Sequence, residues 1–229
     1  MHNAKNTINQ SEIKETTNKV ILAGALDTAP SYSHEYDNVK YYTIRLKVYR
    51  KNGSKYDVLH IFIPEKYLIL DEVLLDVGVR IRVQGKAVQS ELRGMSDVSV
   101  VAEDVELIDA NTKDENFLYI GGVIHRIFDI RPVGEDQELD LSSNQKVVKP
   151  LILKHTYDQE DGKARSLTIK VSCWNNTAKL VDSKFGVDDK VFVRGQLESK
   201  VVKVDKSKDK KSTVVLHEAS AATVLAIES

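Results

Sequence analysis

The residues best equipped for chemistry in this chain are rings and cations that alternate along a single stretch. In Lys40-Tyr-Tyr-Thr-Ile-Arg-Leu-Lys-Val-Tyr-Arg50, Tyr41, Thr43, Arg45, Lys47 and Tyr49 share one parity, and Tyr42, Ile44, Leu46 and Val48 share the other. That is the period of a strand buried on one face. The returning stretch sets Tyr56, Val58, His60 and Phe62 against Leu59, Ile61 and Ile63. Farther on, Arg80 and Arg82 alternate with Val79, Ile81 and Val83, Lys170 and Trp174 stand opposite Leu167, Ile169, Val171 and Cys173, and Phe192 lies between Lys190 and Arg194. Exposed rings give flat faces on which nucleic-acid bases stack, each contributing roughly 1–3 kcal/mol, while the cations meet phosphates. The same residues also make an ordinary solvated sheet face through cross-strand pairs. Trp174 suits a core or interface as well as an exposed face, and an outward Phe192 suits a contact between copies. Lys203, Lys206, Lys208 and Lys210 concentrate charge in one later segment, diluted by Asp205 and Asp209. A loop that grips phosphates gives binding that weakens steeply with salt, whereas a merely solvated one does not.

Other chemistries find little support. The stretches around Gly24, Gly85, Gly121-Gly122 and Gly195 have neither P-loop nor dinucleotide-fingerprint spacing. His34, His60, His125, His155 and His217 lack metal-ligand spacing, and the carboxylates fall mainly in loops, so neither catalysis, a cofactor nor a metal is expected. The single cysteine, Cys173, allows no internal disulfide and sits at an apolar strand position, which makes it core. A formal net charge of -1 confines any nucleic-acid site to a local patch. No apolar run approaches the roughly 20 residues of a membrane span, and no signal-peptide pattern opens the chain. A cytoplasmic protein without membrane contact is expected.

The elements that must position these residues occur twice. With 229 residues, 41% of them hydrophobic, the chain accommodates two ordinary domains. Residues 1–16 read as a flexible polar arm, 17–109 as a first module, 110–115 as a linker and 116–226 as a second module. The first opens with the apolar run Asn18-Lys-Val-Ile-Leu-Ala-Gly24, then a loop from Asp27 to Val39, then two strands joined at Asn52-Gly53, a hairpin pair because such turns need positive φ. Pro64 predicts a short helix from Glu65 to Leu75, followed by a strand ending in Val79-Arg-Ile-Arg-Val-Gln-Gly85 and a last strand from Val98 to Ile108. The second module repeats this order: Asn116 to Gly122, a longer acidic loop from Arg126 to Lys146, strands over Pro150–Tyr157 and Ala164–Trp174, a helix capped by Asn175-Asn176 and running to Val181, Lys190 to Leu197, a lysine-rich loop from Val201 to Lys211, and Thr213 to Leu225.

Five strands with a helix between the third and fourth is the order of the OB-fold, which binds oligonucleotides or oligosaccharides. The expected fold class is all-β with short helices, as two tandem five-stranded OB-fold barrels. Asn18–Gly24 and Asn116–Gly122 resemble the opening strand of bacterial single-stranded DNA-binding proteins, and Val79–Gly85 and Lys190–Gly195 resemble that family's fourth strand. Val101-Ala-Glu-Asp-Val-Glu-Leu107 resembles its closing strand, and Ser172-Cys-Trp-Asn-Asn-Thr-Ala178 the segment that places an aromatic before the helix. The resemblance implies single-stranded DNA as ligand, Trp174 as a base-stacking residue, and a homodimer assembling four OB folds. After Leu225 the chain reads Ala226-Ile-Glu-Ser229, without the Gly/Pro-rich tail and acidic tip through which typical members recruit enzymes. Three functions follow in order: coating single-stranded DNA in replication, recombination or repair; serving as a protein-interaction scaffold in a replication or primosome assembly; and binding carbohydrate, which would use the rings without salt dependence.

Overall fold

The computed structural model describes residues 17–51, 53–92, 94–134, 138–141, 145–158, 164–205 and 211–227. The expected N-terminal arm, Lys206, Lys208 and Lys210 lie outside them. The chain divides into two compact units. One, here the N-terminal unit, comprises Lys19–Phe117 together with Leu197–His217; the other, the C-terminal unit, comprises Leu118–Gln196 and Glu218–Ser229 with the segment ending at Asn18.

Alternation of apolar residues drives the N-terminal unit into a five-stranded ring. The unit's strands are β1 (Asn18–Leu26), β2 (Ser31–Tyr36), β3 (Val39–Tyr49), β4 (Tyr56–Pro64), the two-residue β5 (Ile69–Leu70) and β6 (Val73–Leu74), β7 (Arg80–Leu92) and β8 (Met95–Leu107). β1 pairs with β7, β7 with β8, β8 in parallel with β4, β4 with β3, and β3 with β1. The ring returns to its first strand, the OB-fold order. Inside it lie Val20, Leu22, Ile44, Leu46, Leu59, Ile61, Ile63, Ile81 and Val83, all fully buried.

Two expectations change here. The loop from Asp27 to Val39 contains a strand, β2, hairpinned to β3 through Asp37 and Asn38 in the left-handed region (φ 49° and 59°). All six β2 residues are exposed, so no apolar period marks the strand. The helix expected from Glu65 to Leu75 shrinks to a 3₁₀ turn, Glu65–Tyr67, followed by the β5–β6 hairpin. Asp71 and Glu72 take φ of 47° and 67°, a conformation that ends a right-handed helix and turns the chain back on itself.

The C-terminal unit repeats the ring. β9 (Glu115–Ile127), the short β10 (Arg131–Pro132), β11 (Val147–Asp158), β12 (Ala164–Trp174), helix α1 (Asn175–Lys184), β13 (Lys190–Asp205) and β14 (Lys211–Ala226) follow in order. β9 pairs with β11 and β13, β11 with β12, β12 in parallel with β14, and β14 with β13. α1 buries Ala178 and Val181. Asn175 does not cap it: Trp174 occupies the cap position, and the Asn175 Oδ1 accepts from the Val147 backbone N–H at 3.3 Å. Strands β13 and β14 run through most of the segment expected as a lysine-rich loop.

Glycines fix how the two rings correspond. A Cβ on Gly24 would strike the Lys47 carbonyl oxygen, and one on Gly122 the Lys154 carbonyl oxygen; a Cβ on Gly85 would strike that of Val101, and one on Gly195 that of Ser220. Only a residue without a side chain permits these approaches. Lys47 therefore corresponds to Lys154, and the ladder registers carry the match along: Tyr49 to Thr156, Tyr56 to Ser166, Arg45 to Ile152, His60 to Lys170, Phe62 to Ser172 and Pro64 to Trp174. Phe62 and Trp174 are thus two residues apart in register. One interior rung is polar in both rings but from opposite strands. Val48 faces Asp57 in the first, and His155 faces Leu167 in the second.

Candidate nucleic-acid interface

The outer face of the β3–β4 ladder gathers most of the residues singled out from the sequence. At one end Tyr49 and Tyr56 are directly opposed, their rings edge to face at 5.7 Å, and about half exposed at 46% and 50%. Lys47 lies between them, its Nζ 4.2 Å from the Tyr56 ring centroid and 5.1 Å from that of Tyr49. A hydrogen bond with Tyr49 and the nearby phenols hold the ammonium above its ordinary pKa despite some desolvation. In the middle Arg45 pairs with Asp27 at 3.2 Å. At the other end Tyr41 stacks on His34 at 5.1 Å with an interplanar angle of 7°, and Phe62 meets the same His34 edge to face at 5.3 Å. On the opposite face of the sheet, Tyr32, 59% exposed, meets Tyr42 edge to face at 5.9 Å. Eight residues separate Tyr41 from Tyr49, about 27 Å of strand, so two ring clusters flank a cationic centre.

Arg80 and Arg82 are not part of that face. Arg80 donates to Asp114 Oδ1 at 2.6 Å and to the Thr112 carbonyl at 2.7 Å, while Arg82 pairs with Glu115 at 2.7 Å and Glu106 at 3.5 Å. Arg82, Gln84, Asp104 and Glu106 with Ile21 line a shallow pocket whose charges answer one another. These guanidiniums are committed to carboxylates from β8, from Asp114 just before β9 and from Glu115 at its start.

On the corresponding β11–β12 face the rings are nearly gone. Lys170 is exposed and pairs with Glu218 at 3.3 Å. Trp174 is half-buried and donates its indole N–H to Ser220 Oγ at 3.2 Å. Arg194, on β13, lies over the Tyr119 ring at 5.7 Å, and Lys190, at the start of β13, is exposed. Phe192 requires a correction. Expected on the outside, it is 3% exposed, because Gly121 opposite it leaves room and Ile227 closes over the same spot. It offers no face to a base. The side chain of Lys203 lies outside the described residues.

Comparison with known proteins turns on this architecture. No family model matches the chain, and no curated protein matches its sequence. Among solved structures, a deletion variant of the single-stranded DNA binding protein from Thermus aquaticus aligns with 93% of this chain and 95% of its own, at 18% identity and a TM-score of 0.66. The wild-type protein aligns over 93% of each chain at 17% identity and a TM-score of 0.65. The fold is that of a bacterial single-stranded DNA binding protein. The likeness spans both units, so the bacterial SSB-like, tandem OB architecture expected from strand order is the architecture found. No helix among the described residues is long and apolar enough to cross a membrane.

The SSB-like frame also holds polar groups that strand patterning does not single out. Asp57, fully buried, receives Arg50 in a two-pronged pair (Nε to Oδ2 at 2.9 Å, Nη2 to Oδ1 at 2.7 Å) and the Ser199 backbone N–H at 2.8 Å. Asp97 accepts from the His217 backbone N–H at 2.7 Å and faces its ring Nδ1 at 2.9 Å, while Nε2 faces the Val58 carbonyl at 2.9 Å. Burial pushes the Asp97 carboxyl up, but the hydrogen bond and charge of His217 outweigh it and hold it below the usual range. His60 packs against His217 with ring centroids 4.9 Å apart, and burial lowers its pKa. Burial likewise raises the Cys173 thiol to about 12, leaving it inert in the core. The only hints in the sequence were a buried-parity aspartate at 57 and histidines without obvious partners.

Proposed function

We propose that the chain binds single-stranded DNA without catalysis, stacking bases on the outer β3–β4 face of the N-terminal unit and meeting phosphates with Lys47 and Arg45. The observation that carries this reading is the exposed Tyr49–Lys47–Tyr56 cluster, with Tyr41, His34 and Phe62 along the same ladder. Rings on one rigid sheet face are already held at the spacing that stacking needs, so little side-chain freedom is lost on binding. The SSB-like fold supports the reading, because OB-folds use this strand face for oligonucleotides. Few cations on the face are free of carboxylates, so a small number of phosphates is neutralised and the salt dependence is shallow. For two or three contacts the slope of log K against log salt is about −1.4 to −2.1. Anisotropy of a labelled oligo-dT titrated with the full chain at several salt concentrations tests this. Saturable binding with such a slope supports the proposal, and no affinity even at low salt removes it and leaves an OB scaffold for protein contacts.

A further inference from the structure

His60, Asp97 and His217 come from β4, β8 and β14 and converge inside the N-terminal unit, their nearest donor atoms all within 4.8 Å of one another. The Asp97 and His217 side chains are each 1% exposed. Both ring nitrogens of His217 face oxygen acceptors, Nδ1 toward Asp97 Oδ2 and Nε2 toward the Val58 carbonyl. Nε2–H donates to the carbonyl, which leaves a lone pair on Nδ1 directed at a carboxylate unless a positive species lies between them. A proton or a metal ion satisfies that position. His60 decides between them, because a proton shared by Asp97 and His217 needs no third donor, yet the His60 imidazole lies against the same pair.

We propose that these three side chains form a zinc site, with two imidazole nitrogens and one carboxylate oxygen as protein ligands and a water in the fourth position. Zinc binds such donors tetrahedrally at about 2.0–2.2 Å, which sets neighbouring ligand atoms roughly 3.3 Å apart. The Asp97–His217 edge opens from 2.9 Å by a few tenths of an ångström, and the edges to His60, now within 4.8 Å, close by up to about 1.5 Å. The Nε2–H bond from His217 to the Val58 carbonyl is the outer contact that a metal-bound histidine ordinarily makes to fix its ring. The Asp97 charge offsets part of the ion's own, and borderline nitrogen donors favour zinc over calcium or magnesium. The ion would join three strands at one point, a structural role at the middle of the β3–β4 ladder, where His60 faces Arg45.

The test uses the untagged full chain, with cobalt(II) as a spectroscopic stand-in and zinc(II) for stability, beside His60→Ala. That variant removes one ligand and leaves the Asp97–His217 pair, so its metal-free melting temperature stays close to the parent's. The expected result is one equivalent of cobalt with the intense visible bands of a tetrahedral site, a zinc-dependent rise in melting temperature reversed by EDTA, and at least a tenfold loss of affinity in the variant. Absence of a stoichiometric tetrahedral cobalt signal, or binding equally strong in His60→Ala, overturns the site.

Discussion

Apart from one polar rung, the two barrels carry the same inward pattern and opposite outward ones. Where the β3–β4 ladder carries Tyr49, Tyr56, Arg45 and Phe62, the β11–β12 ladder carries Thr156, Ser166, Ile152 and a buried Ser172. Lys47 and Lys154 alone repeat a cation at the same place. Inside, aliphatic residues fill both rings, and the glycines admit the same carbonyls. Burial therefore specifies the barrel, while the solvent face is free to gain or lose a ligand. The lesson is that an SSB-like fold in both units does not imply equal binding by both.

The comparison is most easily broken with Tyr49→Ala combined with Tyr56→Ala. Losing two stacking faces at roughly 1–3 kcal/mol each weakens oligo-dT binding at least 30-fold in an anisotropy titration. An equal loss from Trp174→Ala would show that the C-terminal unit shares the work. The polar rung gives the next effect. Burial holds His155 below its ordinary pKa, partly countered by the bond between its ring nitrogen and the Gly121 carbonyl at 2.7 Å. The unfolded chain therefore binds the proton more readily, so stability is lost as pH falls from about 6.5 toward the lower folded-state value, by at most about 1.4 kcal/mol per pH unit. Val48 occupies the corresponding position in the other barrel, so His155→Val flattens this part of the pH profile of thermal melting. Transplanting rings with Thr156→Tyr and Ser166→Tyr sharpens the contrast in the other direction, with affinity rising about fivefold, near 1 kcal/mol. Lys47→Gln lowers the salt slope by about 0.7. Smallest is Trp174 itself: its indole is held by Ser220, so oligo-dT quenches its fluorescence weakly and Trp174→Ala alters affinity less than twofold.

What was legible in the sequence follows from periodicity. Ile44, Leu46, Leu59 and Ile61 announced an inward face, the repeated glycines announced close backbone approach, and strand order led to the fold. β2 stayed hidden because a strand exposed at all six positions has no apolar period. Glu65–Leu75 resembled a helix because residue type does not show that Asp71 and Glu72 adopt left-handed backbone angles. Within the site, parity brought Tyr41, Arg45, Lys47, Tyr49, Tyr56 and Phe62 onto one face. It could not show that Asp114 and Glu115 occupy Arg80 and Arg82, or that Gly121 and Ile227 enclose Phe192. Those depend on partners remote in the chain.

The segment Leu197–His217, which belongs to the N-terminal unit, has a consequence for the order of events during synthesis. Asp57 waits for Ser199, 142 residues later, and Asp97 for His217, 120 residues later. At about 5–20 residues per second, the ring of β1, β3, β4, β7 and β8 leaves the ribosome several seconds before these partners exist. During that interval two buried carboxylates lack donors that the finished protein supplies. The first barrel to be translated is thus completed only shortly before the second, and a chain truncated after Phe117 would leave it permanently in that nascent state.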